Sequence, residues 1–195
     1  DEYKKQSIDI NILKKWTIKN DTRIIISVAN LVPVKGLEIL IKAFELICID
    51  YANWNLLIVG SDKSDYAHTL KKYVQDSSVL INKVIFTGMQ ENIRELLDIS
   101  EIYVQPTLDM GGGEGGPVAT IEAMANSKII IGSNISGIRN QLLENFAEHL
   151  FIPGSISDLK NKLITFMNND KNVNDKIGQK FYNFVQKSFN IVSQK

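Results

Sequence analysis

The sequence predicts an α/β domain of three layers, Rossmann-like, with a mainly parallel sheet of about six strands between two layers of helices. Three observations carry this. Six short runs rich in β-branched residues recur along the chain. The first, second and fifth are continuously apolar rather than alternating, which marks strands buried on both faces, as in a parallel sheet. Helical stripes fall between the runs at roughly 20–30 residues per unit, the spacing of right-handed βαβ crossovers.

In chain order, residues 1–22 are polar and carry no strand. They read as a linker or the start of the domain, with a short helical piece near Ile12–Trp16. The strand runs are Arg23–Val28, Leu56–Val59, Val84–Phe86, Ile102–Val104, Lys128–Ile131 and a weaker His149–Ile152. Leu37, Leu40, Ile41, Phe44 and Ile47 share one helical face; Ile93, Leu96 and Leu97 form another. Val118, Ile121, Glu122 and Ala125 lie along a third helix. Leu159, Leu163, Ile164 and Met167 give a fourth, and a last helix runs from about Asn174 to Lys187 with Ile177, Phe181, Phe184 and Val185. Ligands of such a fold bind at the carboxyl ends of the strands. The loops that matter are therefore Asn30–Gly36, Gly60–Ser64, Gly88–Gln90 and Pro106–Gly116.

The chain has 195 residues, enough for one domain with a proper core. Its 22 Lys and Arg balance 22 Asp and Glu, so no global field favours nucleic acid. An anionic ligand must be held by local features. No run reaches the roughly 20 apolar residues of a membrane span, and no signal peptide is legible. A cytoplasmic place is expected. The sequence starts at Asp1 rather than a methionine, which suits a piece of a longer protein. The single Cys48, among apolar residues at helical spacing, reads as a buried small hydrophobe in a reducing compartment.

The chemistry concentrates in the loop Asp109–Pro117, which holds five of the twelve glycines. Glycine lets backbone N–H groups approach a ligand closely. Pro117 suits a first helical turn, and the helix that follows offers free N–H groups and a positive dipole end to an anion. Gly111, Gly113 and Gly116 satisfy G-x-G-x-x-G, but after the fourth strand rather than the first. Ser133–Ser136, where the ribose-binding acid should stand, holds no acid, which argues against a nicotinamide dinucleotide. No Gly-Lys-Ser/Thr follows, so neither is this a P-loop. Glu114 and Glu122 flank the helix start. Two carboxylates cannot both meet phosphate, but they can accept hydrogen bonds from sugar hydroxyls on either side of it. Glu122 precedes the apolar Ala123-Met124-Ala125, and a carboxylate entering a core is expected to have a partner. Lys35, just after the first strand and stiffened by Pro33, can reach the same cleft. No Asp-x-Asp occurs and His68 and His149 lie on different elements, so no metal is expected.

Together these residues resemble the donor domain of retaining glycosyltransferases of family 4, one half of the GT-B fold. The matching pieces are Ser27–Gly36, Ile58-Val59-Gly60, Val84–Gly88, the Glu-x7-Glu segment Glu114–Ala125, Ser136-Gly137-Ile138 and Leu150–Gly154. The resemblance implies that residues 23–195 bind a nucleoside-diphosphate sugar, UDP- or GDP-linked, with no cofactor. The acceptor-binding N-terminal domain lies outside this chain. It implies catalytic roles for Glu114, on the transferred sugar, and Lys35, on the diphosphate. Glu122 would hold the ribose, the backbone of Gly115, Gly116, Val118 and Ala119 the phosphates, Gly88 and Met89 would edge the nucleobase, and Asn30 would stand beside the diphosphate. The hexosyl transfer would retain anomeric configuration, and the isolated domain would be weakly active or inactive. Acceptors of the family are sugars, lipids or polysaccharides at the cytoplasmic face of a membrane, which implies peripheral membrane association of the full-length protein. Three departures stand out: Asn30 replaces a frequent Arg, Pro117 replaces a glycine and removes an N–H, and a triple glycine precedes Glu114. They motivate the alternative of a non-catalytic nucleotide-binding module. A GT-B epimerase or phosphorylase is a further alternative.

Overall fold

The computed structural model describes residues 10–109 and 117–188. Six strands form one all-parallel sheet: β1 (Arg23–Val28), β2 (Trp54–Val59), β3 (Val84–Gly88), β4 (Ile102–Gln105), β5 (Ile129–Ser133) and β6 (Leu150–Phe151), in the order β3-β2-β1-β4-β5-β6. The strand order reverses between β1 and β4, so a crevice opens above their carboxyl ends.

Among the described residues, eight α-helices cover the two faces: α1 (Ile10–Lys15), α2 (Leu37–Glu45), α3 (Asp65–Asp76), α4 (Ile93–Asp98), α5 (Val118–Ala125), α6 (Ser136–Phe146), α7 (Ile156–Met167) and α8 (Lys171–Ser188). The continuously apolar first strand divides by parity. Ile25 packs with α2, α3 and α7 through Leu40, Phe44, Leu70 and Leu163. Ile24 and Ile26 pack on the other side with Leu13, Leu97, Met124, Leu142 and Phe181. Leu13 and Ile18 are thus core residues, and the segment from α1 onward packs as part of the domain.

The six strands stand where the sequence places them, though β6 spans only two residues: His149 belongs to a 3-10 turn and Ile152 lies beyond the strand. Helices α3 and α6 were not read from the sequence. Only Ala67, Leu70 and Val74 of twelve α3 residues are buried, too sparse a stripe to see. Its start is fixed by Ser64, whose hydroxyl accepts from the Ala67 N–H and donates to the Leu31 carbonyl at 2.7 Å. Among the described side chains of α6, Ile138, Leu142 and Phe146 are in the core.

The amino ends of the strands are stitched by a polar network. Arg23 donates to both oxygens of Glu101, at 2.9 and 2.6 Å, and to the carbonyls of Met167, the last residue of α7, and Asn169 just beyond it. Its guanidinium lies over the buried Trp54 ring, 4.2 Å from the centroid. The buried Asn174 amide donates to the Phe166 carbonyl. Nearby, His149 is 3% exposed; its Nδ1–H donates to the Ile130 carbonyl at 2.8 Å, and its ring stacks on Phe166 and meets Phe181 edge-on. Burial pushes the imidazole pKa down to about 4, so the ring is neutral.

The pairing is uneven. β1 and β2 are in register over six residue pairs, β1 and β4 over two, Ile25 with Ile102 and Ile26 with Tyr103. Across that junction the buried Ser27 hydroxyl donates to the Val104 carbonyl at 2.8 Å.

Candidate functional site

Two grooves deserve comparison. The larger, about 670 Å³, lies beside the amino ends of β2 and β3 and is lined by Trp16, Asn53, Asn55 and Asn82 among others. The smaller, about 340 Å³, lies over the carboxyl ends of β1, β2 and β4 and the start of α5. Topology rather than volume selects the second, because only there do loops from both halves of the sheet meet an open helix N-terminus.

The walls of this cleft are set by close backbone approaches. After β1 the chain turns at Asn30 into a 3-10 turn, Pro33–Lys35, which ends at Gly36 in the left-handed region (φ 66°). A Cβ on Gly36 would meet the Pro106 carbonyl oxygen at 2.0 Å. The Leu108 N–H donates to the Val34 carbonyl at 2.8 Å. These contacts clamp the Lys35 turn against the segment after β4, so Lys35 faces the cleft from a fixed base. Gly60 does the same on the other side: a Cβ there would meet the Ala29 carbonyl at 2.0 Å, and its N–H donates to the Gly88 carbonyl.

Of the residues the sequence singles out, Asn30, Lys35, Met89, Val118 and Ala119 come together on this lining. Gly88 ends β3 one residue before Met89, with φ 69°, beside the Asp62 carboxylate. Asp62 pairs with Lys71 of α3, and that hydrogen bond holds its carboxyl below the usual range. Met89 and Val118 are 73% and 70% exposed at the mouth. Glu114, Gly115 and Gly116, with the dinucleotide-like Gly111 and Gly113, lie outside the described residues.

Glu122 corrects one expectation. It does not enter the core. On α5 the buried positions are Thr120, Ala123 and Met124; Glu122, a hundred degrees back around the helix from Ala123, is exposed and makes no side-chain hydrogen bond or ion pair among the described residues. It is also not on the cleft lining, so only a ligand extending past Val118 would reach it.

The start of α5 is open. Pro117, its N-cap, offers no side-chain cap. The Thr120 N–H is taken by the Pro117 carbonyl, which leaves the amides of Val118 and Ala119 as the helix donors without a partner among the described residues. The Thr120 hydroxyl is buried with no hydrogen-bond partner among the described residues.

Ser61 and Gln90, on the lining, fall within loops the sequence points to but carry no role there; Ile93 and Gln105, also on the lining, are not among the site residues the sequence singles out. Gln105 had a signal: it is a long polar side chain closing an apolar strand, and it fell between the run Ile102–Val104 and the loop that starts at Pro106.

The model of the family described as glycosyl transferases group 1 matches residues 9–184. A glycosyltransferase of amylovoran biosynthesis from Erwinia amylovora is 31% identical over 138 residues, which is 69% of this chain and 33% of that protein. The structure of HepE from Anabaena, in complex with UDP and glucose, superposes with a TM-score of 0.77 at 20% identity, over 91% of this chain and 47% of that one. The C-terminal domain of a glycosyl transferase group 1 protein from Francisella tularensis, crystallised as a separate domain, superposes with a TM-score of 0.74 at 22% identity, over 90% of this chain and 91% of that one. The chain thus spans from a third to a half of the length of the curated relatives it matches.

Proposed function

The chain belongs to the glycosyl transferases group 1 family, and on that premise we propose that it is the nucleotide-sugar-binding half of a two-domain glycosyltransferase. The observation that carries this is convergence: Asn30 and Lys35 after β1, Met89 after β3 and the open start of α5 line one cleft at the point where the strand order reverses. A cation, unpaired helix amides and a neutral amide suit a diphosphate. Exposed apolar side chains at the rim suit a base or a second domain.

In this reading Lys35 and the α5 amides hold the diphosphate and stabilise its charge as it leaves, the largest contribution such a site makes. Glu122 receives the ribose hydroxyls on the outer side of α5, and Glu114 the hexose. The acceptor enters from an N-terminal domain, and transfer retains the anomeric configuration. Relatives named for polysaccharide assembly, such as the amylovoran protein, support a polysaccharide or lipid-linked acceptor at a membrane face. Among the described residues no helix is long and apolar enough to cross a membrane.

A thermal-shift panel of the chain with UDP, GDP, ADP, their sugars and NAD tests this. At 100 times its dissociation constant a ligand adds about 2.7 kcal/mol of stability, which is a shift of several degrees. One nucleoside diphosphate that shifts the midpoint, with NAD silent, supports the reading; a shift with NAD alone overturns it. The exposed, uncharged Asn30 favours one second reading, a nucleotide sensor without transfer. Sugar transfer by the chain joined to an acceptor domain would exclude it.

A further inference from the structure

Beneath the cleft runs a chain of buried side chains that nothing in the proposed function uses. The Tyr103 hydroxyl donates to Gln105 Oε1 at 2.6 Å, and Gln105 Nε2 donates to Thr107 Oγ1 at 2.9 Å. The Ser133 hydroxyl donates to the Thr107 carbonyl at 2.6 Å, which ties the segment to β5. Tyr103 is fully buried, Gln105 and Thr107 are each 2% exposed, and Gln105 still lines the cleft.

The valence of that amide is the point. Nε2 carries two protons. One goes to Thr107, and among the described residues no other group takes the second. A buried amide proton without an acceptor is costly, and a parallel strand end gives no structural reason for glutamine where the five other strands end in valine, glycine, serine or phenylalanine. The Tyr103 hydroxyl is held at Oε1, which turns Nε2 toward Thr107. The Pro106 carbonyl pressed against Gly36 leaves the backbone below little room to shift. Gln105 is therefore a rigid N–H donor on the same lining as Lys35, Val118 and Ala119. Those groups all favour negative charge; none is an acceptor side chain.

We propose that Gln105 is a phosphate-contacting residue of the donor site: its second Nε2 proton joins the Lys35 ammonium and the α5 amides on the diphosphate, with Tyr103 as the positioning residue that aims it. This rests on the reading of the cleft as a nucleoside-diphosphate site and names a group on its floor that delivers a neutral, preorganised hydrogen bond.

The test measures affinities of the 195-residue chain for UDP, GDP, uridine and guanosine by calorimetry, for the natural chain and for Gln105→Leu and Gln105→Glu. Gln105→Leu keeps shape and loses the donor; diphosphate affinity should fall about tenfold, the scale of one hydrogen bond to a charged group. Gln105→Glu keeps the acceptor for Tyr103 but sets a carboxylate against phosphate; the fall should be larger, about a hundredfold. Bare nucleosides should be unaffected by either change. If the natural chain binds a diphosphate and both variants bind it equally well, Gln105 has no such role while the donor-site reading stands. Equal losses for nucleoside and diphosphate also overturn the proposal, since they report distortion of the cleft. If Gln105→Leu does not fold, Gln105→Glu decides alone. If the natural chain binds neither UDP nor GDP, the donor-site reading fails and this inference with it.

Discussion

The two ends of the sheet are built on opposite rules. At the amino ends the polar side chains described above are answered from within the protein: Arg23 by Glu101 and two carbonyls, Asn174 by Phe166, His149 by Ile130. At the carboxyl ends groups are held ready and left open: the α5 amides without a cap, Gln105 with a proton to spare, Asn30 and Glu122 in solvent. One end stores stability and the other stores binding capacity. Substitutions should therefore sort by pole, those at the amino ends moving the unfolding midpoint and those at the carboxyl ends moving ligand affinity.

The sharpest test of that division is Arg23→Ala. It strands a Glu101 carboxylate that is 8% exposed, and breaking a buried pair from one side costs about 3–5 kcal/mol. Urea denaturation should show a loss of that order with nucleotide affinity unchanged once folded. A loss below about 1 kcal/mol would mean the pair behaves as a surface contact, and the contrast between the poles would collapse.

The mirror experiment is at the other end. Glu122→Ala should weaken nucleotide binding by about 1.5–3 kcal/mol, the scale of hydrogen bonds to a charged group, while stability stays within about 0.5 kcal/mol, as for other surface substitutions. Unchanged affinity by calorimetry would remove Glu122 from the site. Lys35→Ala should reduce diphosphate affinity more than nucleoside affinity, and equal losses would count against its place on the phosphates.

Acid should attack the amino pole selectively. The folded His149 resists protonation until about pH 4, whereas an unfolded chain's imidazole takes its proton near the ordinary 6.5. Between those values the unfolded state binds more protons, so stability is complete above pH 6.5 and falls as pH drops through the window. At pH 5 the loss is about 2 kcal/mol. Unfolding midpoints from pH 7 to 4.5 should show that slope, and His149→Phe, which fits the surrounding ring cluster, should flatten it.

The smallest effect concerns strain. Thr17 ends α1 with φ 55°, a left-handed position costly for a β-branched residue. Thr17→Gly should stabilise by about 1 kcal/mol; a destabilised variant would mean the threonine side chain earns its place in the adjoining groove.

Why the carboxyl pole was easier to name and harder to place follows from what each pole is made of. The strands were legible because parallel burial demands apolar runs, and the glycine-rich loop because only a ligand or a tight turn needs such backbone. Arg23–Glu101 was invisible: the partners are 78 residues apart, and nothing local in a charged residue says which distant one it meets. Glu122 was misjudged for a related reason. Its neighbours Ala123 and Met124 are core residues, but a helix turns a hundred degrees between one residue and the next, so adjacency in sequence said nothing of the side it faces. Gln105 was overlooked because a strand was read as its apolar part only. Helices α3 and α6 show the same limit, since their positions come from neighbouring elements more than from their own stripes.

The thin junction between β1 and β4 has one more consequence. Two paired positions, the Glu101 N–H donating to the Ile24 carbonyl, and the Ser27 hydroxyl tie β1 to β4, against six pairs between β1 and β2. The chain thus divides into two βαβ halves, β1 to β3 and β4 to β6, that meet along a seam under the cleft. Local opening follows the sparsest hydrogen-bonded boundaries, so amide exchange should separate the halves there before either melts. A molecule lying across β1 and α5 would rivet the seam shut, and occupancy of the cleft would then be written in the exchange rates of buried strands that the ligand never touches.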